Sequence, residues 1–236
     1  MLVATAETIE RVPLDPGRSL DYSLGARHCA GSLDGEDHES CDRPTAPYCP
    51  EHTDRWPCAR CTGSCNLPLP NCRAEHAVYL AGFRPDIFKV GVTKAWRLET
   101  RLREQGADRG AHLRTVADGR IARQVEADIA SDVGDSVRVP AKIRGLQEAF
   151  DEAAWEGLLA DFDHLAAYTF EYGLSLSDRP MQETLASGRV RGTKGRVLVL
   201  ENAGSTYAVD LRDLVGYEVE PGGGDRNLQA SLGAWT

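Results

Sequence analysis

All seven cysteines of the chain, Cys29, Cys41, Cys49, Cys58, Cys61, Cys65 and Cys72, fall between positions 29 and 72. Two spacings among them suit a bound metal ion. In Cys58-Ala59-Arg60-Cys61 two thiolates stand two residues apart, so both sulfurs can wrap one ion while neighbouring amides point at them. Cys49-Pro50-Glu51-His52 repeats the spacing with an imidazole as its second donor. Seven Cys and His52 make eight ligands, enough for two closed tetrahedral zinc sites. The simplest sequential division sets Cys29, Cys41, Cys49 and His52 against Cys58, Cys61, Cys65 and Cys72; interleaved ligation is its rival, and His28 and His38 compete as ligands. Closed coordination leaves no position for water, so the expected role is structural.

The segment needs such a cross-link. Among residues 28–73 only Leu33, Tyr48, Trp56, Leu67 and Leu69 are large and apolar, too few to offset the chain entropy lost on folding. Disulfides would serve in a secreted protein. Here the cysteine number is odd, and the opening MLVATAETIERV has neither the basic start nor the apolar run of an export signal, so a reducing, cytoplasmic setting is expected. A thiolate-held iron–sulfur cluster is the alternative cofactor; His52 and the lack of a ferredoxin spacing weigh against it.

Charge marks a second region. The chain carries a net −9, with 23 Arg but 4 Lys and with 19 Asp to 17 Glu, an acidic balance like that of halophilic proteins. Where acidity is general it says little about partners, and local departures say more. Residues 89–123 hold nine Lys/Arg and four Asp/Glu, a local +5. A run of mixed charge is ordinarily a solvated face, but this reversal of sign points to a patch for phosphate.

The elements that would carry this patch can be read from periodicity. AVYLAG and IFKVGVT are β-rich runs, and Phe83-Arg84-Pro85-Asp86 between them supplies the turn of a hairpin. Residues 96–105 read as a helix with Leu98 and Leu102 facing the core, stopped by Gly106. Residues 111–117 offer a third strand. Asp118 can cap a second helix with Ile121, Val125 and Ile129 on its buried face and Glu126 at the border. The order is β-β-α-β-α.

This span, about a quarter of the chain, resembles the GIY-YIG nuclease superfamily. Ala77-Val78-Tyr79 stands where that family has its first motif, Lys89-Val90-Gly91 where it has its second, Arg101 where its helix carries an arginine, and Glu126 where the next helix carries the metal-binding glutamate. The resemblance implies phosphodiester cleavage of DNA or RNA with one divalent ion: Glu126 would hold Mg²⁺ or Mn²⁺, Tyr79 would help deprotonate the attacking water, and Arg101 would neutralise charge on the phosphate. Arg97, Arg103, His112 and Arg123 would line the same groove. Two departures stand against it. Lys89 replaces the second motif's tyrosine, and no counterpart of the asparagine that often closes the family's site is found. Together with the upstream cysteines, the span also resembles an uncharacterised family of archaeal and bacterial proteins, a domain of unknown function that implies no activity.

The flanks complete an α+β reading: N-terminal strands in residues 1–27, a zinc-binding segment in 28–73, the GIY-YIG-like core with a following helix in 74–165, and a small antiparallel β domain in 166–236. The following helix is expected from about Leu146, with Phe150, Ala154, Leu158 and Phe162 inward. Beyond residue 187 the pattern is period-two with glycine bends, the N-terminal strands are candidates to complete that sheet, and the tail from Pro221 onward reads as mobile. No run of 18 apolar residues exists, so no membrane partner is expected. Three functions stay open: a zinc-stabilised nuclease, a non-catalytic nucleic-acid binder, and a zinc-rigidified interaction scaffold. Monomer and dimer are equally compatible with the sequence.

Overall fold

The computed structural model describes residues 1–4, 8–53 and 70–222. Five short strands come first: β1 (Leu2–Ala4), β2 (Ile9–Arg11), β3 (Ser19–Arg27), β4 (Ser32–Asp34) and β5 (Asp37–Glu39). A 3₁₀ turn at Pro70–Arg73 leads into β6 (His76–Phe83) and β7 (Ile87–Lys94), and a second at Ala95–Arg97 into α1 (Leu98–Gln105). There follow β8 (Arg109–Val116), α2 (Gly119–Val133), α3 (Val139–Arg144), α4 (Glu152–Leu159) and β9 (Ala166–Thr169). The chain then adds β10 (Met181–Gln182), β11 (Ala186–Lys194), β12 (Val197–Asn202), β13 (Ser205–Asp210) and β14 (Tyr217–Pro221). The architecture is α+β, as the sequence implies. It divides into two units, Trp56–Ser177 and a unit built from both chain ends, Met1–Arg55 with Asp178–Thr236. No helix among the described residues is long and apolar enough to cross a membrane.

In the Trp56–Ser177 unit the strand order is β7-β6-β8-β9, antiparallel throughout. β6 is central and buried from Ala77 to Phe83, because helices cover both faces of the sheet. Ala77, Tyr79, Ala81 and Phe83 pack on Leu98 and Leu102 of α1. Val78 and Leu80, on the opposite face, pack with Val90, Ala111 and Leu113 against Ala122 of α2 and Trp155 of α4. Gly106 ends α1 in the left-handed conformation (φ 72°), its N–H donating to Arg103 O. The Asp118 carboxylate caps α2 by accepting from Arg120 N at 2.7 Å. The hairpin turn is pinned to β8: Arg84 Nε lies 2.9 Å from Asp108 Oδ1, and Arg84 N donates to Oδ2 at 3.0 Å.

Three expectations shift here. Ile121 is 50 % exposed, so the buried stripe of α2 runs through Ala122, Val125, Ile129 and Val133 instead; a helix turns 100° per residue, and Ala122 follows that stripe more closely. The helix expected from Leu146 starts at Glu152, capped by Asp151, whose carboxylate accepts from Ala154 N at 2.9 Å. Leu146 and Phe150 lie in the turn before it. Residues 166–169 form β9, the fourth strand of this sheet, and the unit runs to Ser177, beyond the boundary expected at 165.

The other unit is a six-stranded sheet in the order β10-β13-β12-β11-β3-β14, antiparallel except where β10 meets β13. β3 lies between β11 and β14, which ties the N-terminal segment into the C-terminal sheet. Its core gathers Val12, Leu20, Leu185, Val190, Leu198, Leu200, Tyr207 and Val209. β1 with β2 and β4 with β5 form separate hairpins. The zinc segment expected as one block over 28–73 is divided between the units, with its first part here.

Candidate functional site

The first cluster is built by the β4–β5 hairpin. Cys29 precedes it and Cys41 follows it, so closing the hairpin brings the two thiols together. Gly31 makes the closure possible: its φ is +70°, and a Cβ there would lie 1.8 Å from Glu39 O. Cys49 and His52 come from the tight turn at Cys49-Pro50-Glu51-His52, where His52 N and Thr53 N both donate to Cys49 O. The four donor atoms of Cys29, Cys41, Cys49 and His52 all lie within 4.8 Å of one another, and the group could hold a metal ion. His52 Nδ1 stands 3.4 Å from the sulfurs of both Cys29 and Cys49. Tetrahedral zinc with ordinary bond lengths spaces its sulfur and nitrogen ligands by about 3.5 Å.

The electrostatics of the cluster suit a cation. Burial opposes ionisation of Cys29, but Cys49 N at 3.2 Å, Gly31 N at 3.4 Å and the His52 ring together outweigh it and lower its pKa to about 6. Cys49 is likewise lowered: burial resists, and the amides of His52 and Glu51 prevail. For Cys41 the Arg43 amide pulls the pKa down, but burial and the neighbouring sulfurs of Cys29 and Cys49 outweigh it and raise it. Arg43, paired to Glu51 at 2.6 Å, supplies positive charge beside Cys49 and Cys41. His28 and His38 serve as braces: His28 Nδ1 meets the carbonyls of Cys41 (2.9 Å) and Cys29 (3.0 Å), and His38 Nε2 meets Ala30 O at 2.8 Å. Cys58, Cys61 and Cys65 lie outside the described residues. Cys72 sits half-buried in the 3₁₀ turn of the other unit and forms no disulfide among the described residues.

The second cluster centres on Tyr79. Its ring lies across Gly91, its partner in the β6–β7 register, where a Cβ would come within 2.5 Å of the hydroxyl. That hydroxyl accepts from Gln105 Nε2 at 2.6 Å. Burial raises the Tyr79 pKa above the ordinary tyrosine value, the Gln105 bond and the Arg101 guanidinium oppose the rise, and the Glu126 carboxylate adds to it. Lys89, on the same face of β7, donates to Asp135 O at 2.7 Å. Burial lowers its pKa, and the charges of Glu126, Arg101, Asp135 and Arg123 all act on it. Tyr79, Lys89, Arg101 and Glu126 thus come from β6, β7, α1 and α2 to within electrostatic reach of one another.

They differ in access. Tyr79 is 1 % exposed and lies beneath; the Arg101 side chain is half-exposed above it, touching Glu104 at 3.4 Å. Glu126 is mostly covered and accepts from Arg123 Nη1 at 2.6 Å. Arg97 pairs with Glu104 at 2.8 Å, while Arg103 pairs with Glu99 and lies over the Phe170 ring. His112 stands opposite Tyr79 in the β6–β8 register, its Nε2 3.1 Å from Thr115 Oγ1. The sequence reading passed over Gln105 and Asp135, whose contacts are made by an amide and a backbone carbonyl and leave no spacing signal.

Fold and clusters define an α+β protein with a Cys₃His group able to hold a metal ion in one unit and a buried tyrosine ringed by charge in the other. Residues 58–219 match the family DUF2797, described as a protein of unknown function, and with most of the chain covered the protein belongs to that family. No curated protein and no solved structure matches the chain.

Proposed function

We propose that this is a zinc-stabilised nucleic-acid-processing protein, whose Trp56–Ser177 unit binds a phosphodiester and cleaves it in the manner of GIY-YIG nucleases. The observation that carries the reading is the convergence of Tyr79, Lys89, Arg101 and Glu126 from four separate elements. Arg101, the most open of them, meets the phosphate and neutralises charge that builds on it. Lys89 adds a fixed positive charge on the same face. With its pKa raised, Tyr79 remains a neutral hydroxyl at physiological pH; buried and held by Gln105, it braces the cluster and is not the base that takes a proton from the attacking water. Glu126 would hold the divalent ion, which when bound supplies Lewis acidity; one carboxylate with phosphate oxygens and waters suits magnesium. In the other unit, three sulfurs and an imidazole within 4.8 Å of one another favour zinc as the structural metal.

One observation favours a binder that does not cleave: Glu126 is already engaged by Arg123, so an incoming cation competes with a guanidinium. Incubating the protein with Mn²⁺ and a panel of single- and double-stranded DNA and RNA separates the two readings. The nuclease reading expects cleavage that Glu126→Ala and Arg101→Ala abolish while their melting curves stay cooperative. Intact substrates throughout, with salt-sensitive binding lost in Arg101→Ala and kept in Glu126→Ala, would leave the binder.

A further inference from the structure

Trp96 is 77 % exposed, the most open large apolar side chain among the described residues. Trp155, by contrast, is buried among Phe88 and Phe150. The backbone under Trp96 is fixed: Ala95–Arg97 forms the 3₁₀ turn between β7 and α1, and Ala95 N donates to Glu75 O at 2.9 Å. The indole is therefore held out by an ordered corner of the fold.

Its surroundings are charged. The Arg97 guanidinium lies over the ring with Cζ 5.8 Å from the centroid, and the same guanidinium reaches Glu104, which also takes Arg101. Arg101 in turn acts on the Tyr79 hydroxyl. A continuous series of contacts thus runs from the open ring to the guanidinium assigned to phosphate. A protein-docking patch would need several hundred Å² of contiguous apolar surface, and one indole between Lys94, Arg97 and Glu99 does not supply it. An aromatic face beside cations suits an unpaired nucleotide, whose base stacks on the ring while charge holds its backbone. In a duplex the base faces are already occupied by their neighbours.

We infer that Trp96 is a stacking platform for an unpaired nucleobase, so that the polymer taken by this unit is single-stranded or carries an extruded nucleotide. The inference rests on the phosphate-binding reading above and specifies its substrate class. The test titrates the full metal-loaded chain into labelled oligo-dT and oligo-U, and into a duplex of equal length, at several salt concentrations, following anisotropy. Trp96→Ala should weaken single-strand binding by about 5- to 150-fold, with the slope of log affinity against log salt unchanged. Trp96→Phe should recover most of that loss, and duplex binding should hold steady in both variants. Unchanged single-strand affinity in Trp96→Ala, or equal loss on strand and duplex, overturns the stacking role while wild-type binding keeps the phosphate reading. A wild-type protein that binds neither polymer overturns both.

Discussion

The Cys29 thiol and the His52 ring, whose own pKa the Cys29 and Cys49 sulfurs raise, both set how the candidate metal group answers to falling pH. Two amides and the His52 ring draw the Cys29 pKa down to about 6 against the pull of burial, so Cys29 is already a thiolate at neutral pH and needs no proton removed when metal binds. The sign follows: a depressed pKa preserves the ligand form above it, and protons compete with metal as pH falls through it. Metal should stay bound near pH 7 and be released progressively as the solution is taken from about pH 6 to about pH 5, read by a colorimetric zinc indicator. Cys49→Ser should remove the metal at neutral pH, whereas His38→Ala, which removes a hydrogen bond to the Ala30 carbonyl, should retain it. At this scale the sequence was most informative where ligands sit in one turn, as in Cys49 to His52. Gln105 was illegible, because only the packing of α1 on β6 brings its amide to Tyr79.

At the scale of elements the β6–β7 hairpin positions the Tyr79 cluster, and two residues maintain it. Gly91 leaves room for the Tyr79 ring to cross β7. Gly91→Ala should displace the hydroxyl from Gln105 and cost about 1–3 kcal/mol of stability by overpacking, measured by urea denaturation. Arg84 closes the other end by pairing with Asp108, which is buried at 1 %. Arg84→Ala removes this ion pair to a buried carboxylate and should cost more stability, by the same measurement, than removal of any exposed pair on α1. The hairpin, α1 and the start of α2 were legible because each has a local signature: a turn pair, a glycine stop, an aspartate cap. The start of α4 was not. Phe150 keeps the helical spacing, yet Asp151 caps the helix after it, and Phe150 packs against Phe88 and Trp155 from the preceding turn.

Across the whole molecule, each unit has its own hydrophobic core, and the Cys₃His cluster belongs to the unit formed by the two chain ends. Chelation should therefore remove hydrogen-exchange protection around residues 29–52 and leave the amides of β6 and β8 protected in the other unit. The sequence by itself determined what short-range chemistry dictates: the α+β class, the Cys/His turn of the candidate metal group, the order β-β-α-β-α that starts at residue 76, and the segments of period-two and helical pattern. Tertiary structure alone decided that β3 enters between β11 and β14, that β9 joins the β8 edge, and that four residues spread over 48 positions of sequence from Tyr79 to Glu126 come within electrostatic reach. The division has a physical cause. Periodicity, capping and ligand spacing act within a few residues, whereas pairing across long connections depends on which distant surfaces bury the most apolar area once the loop-closure entropy has been met.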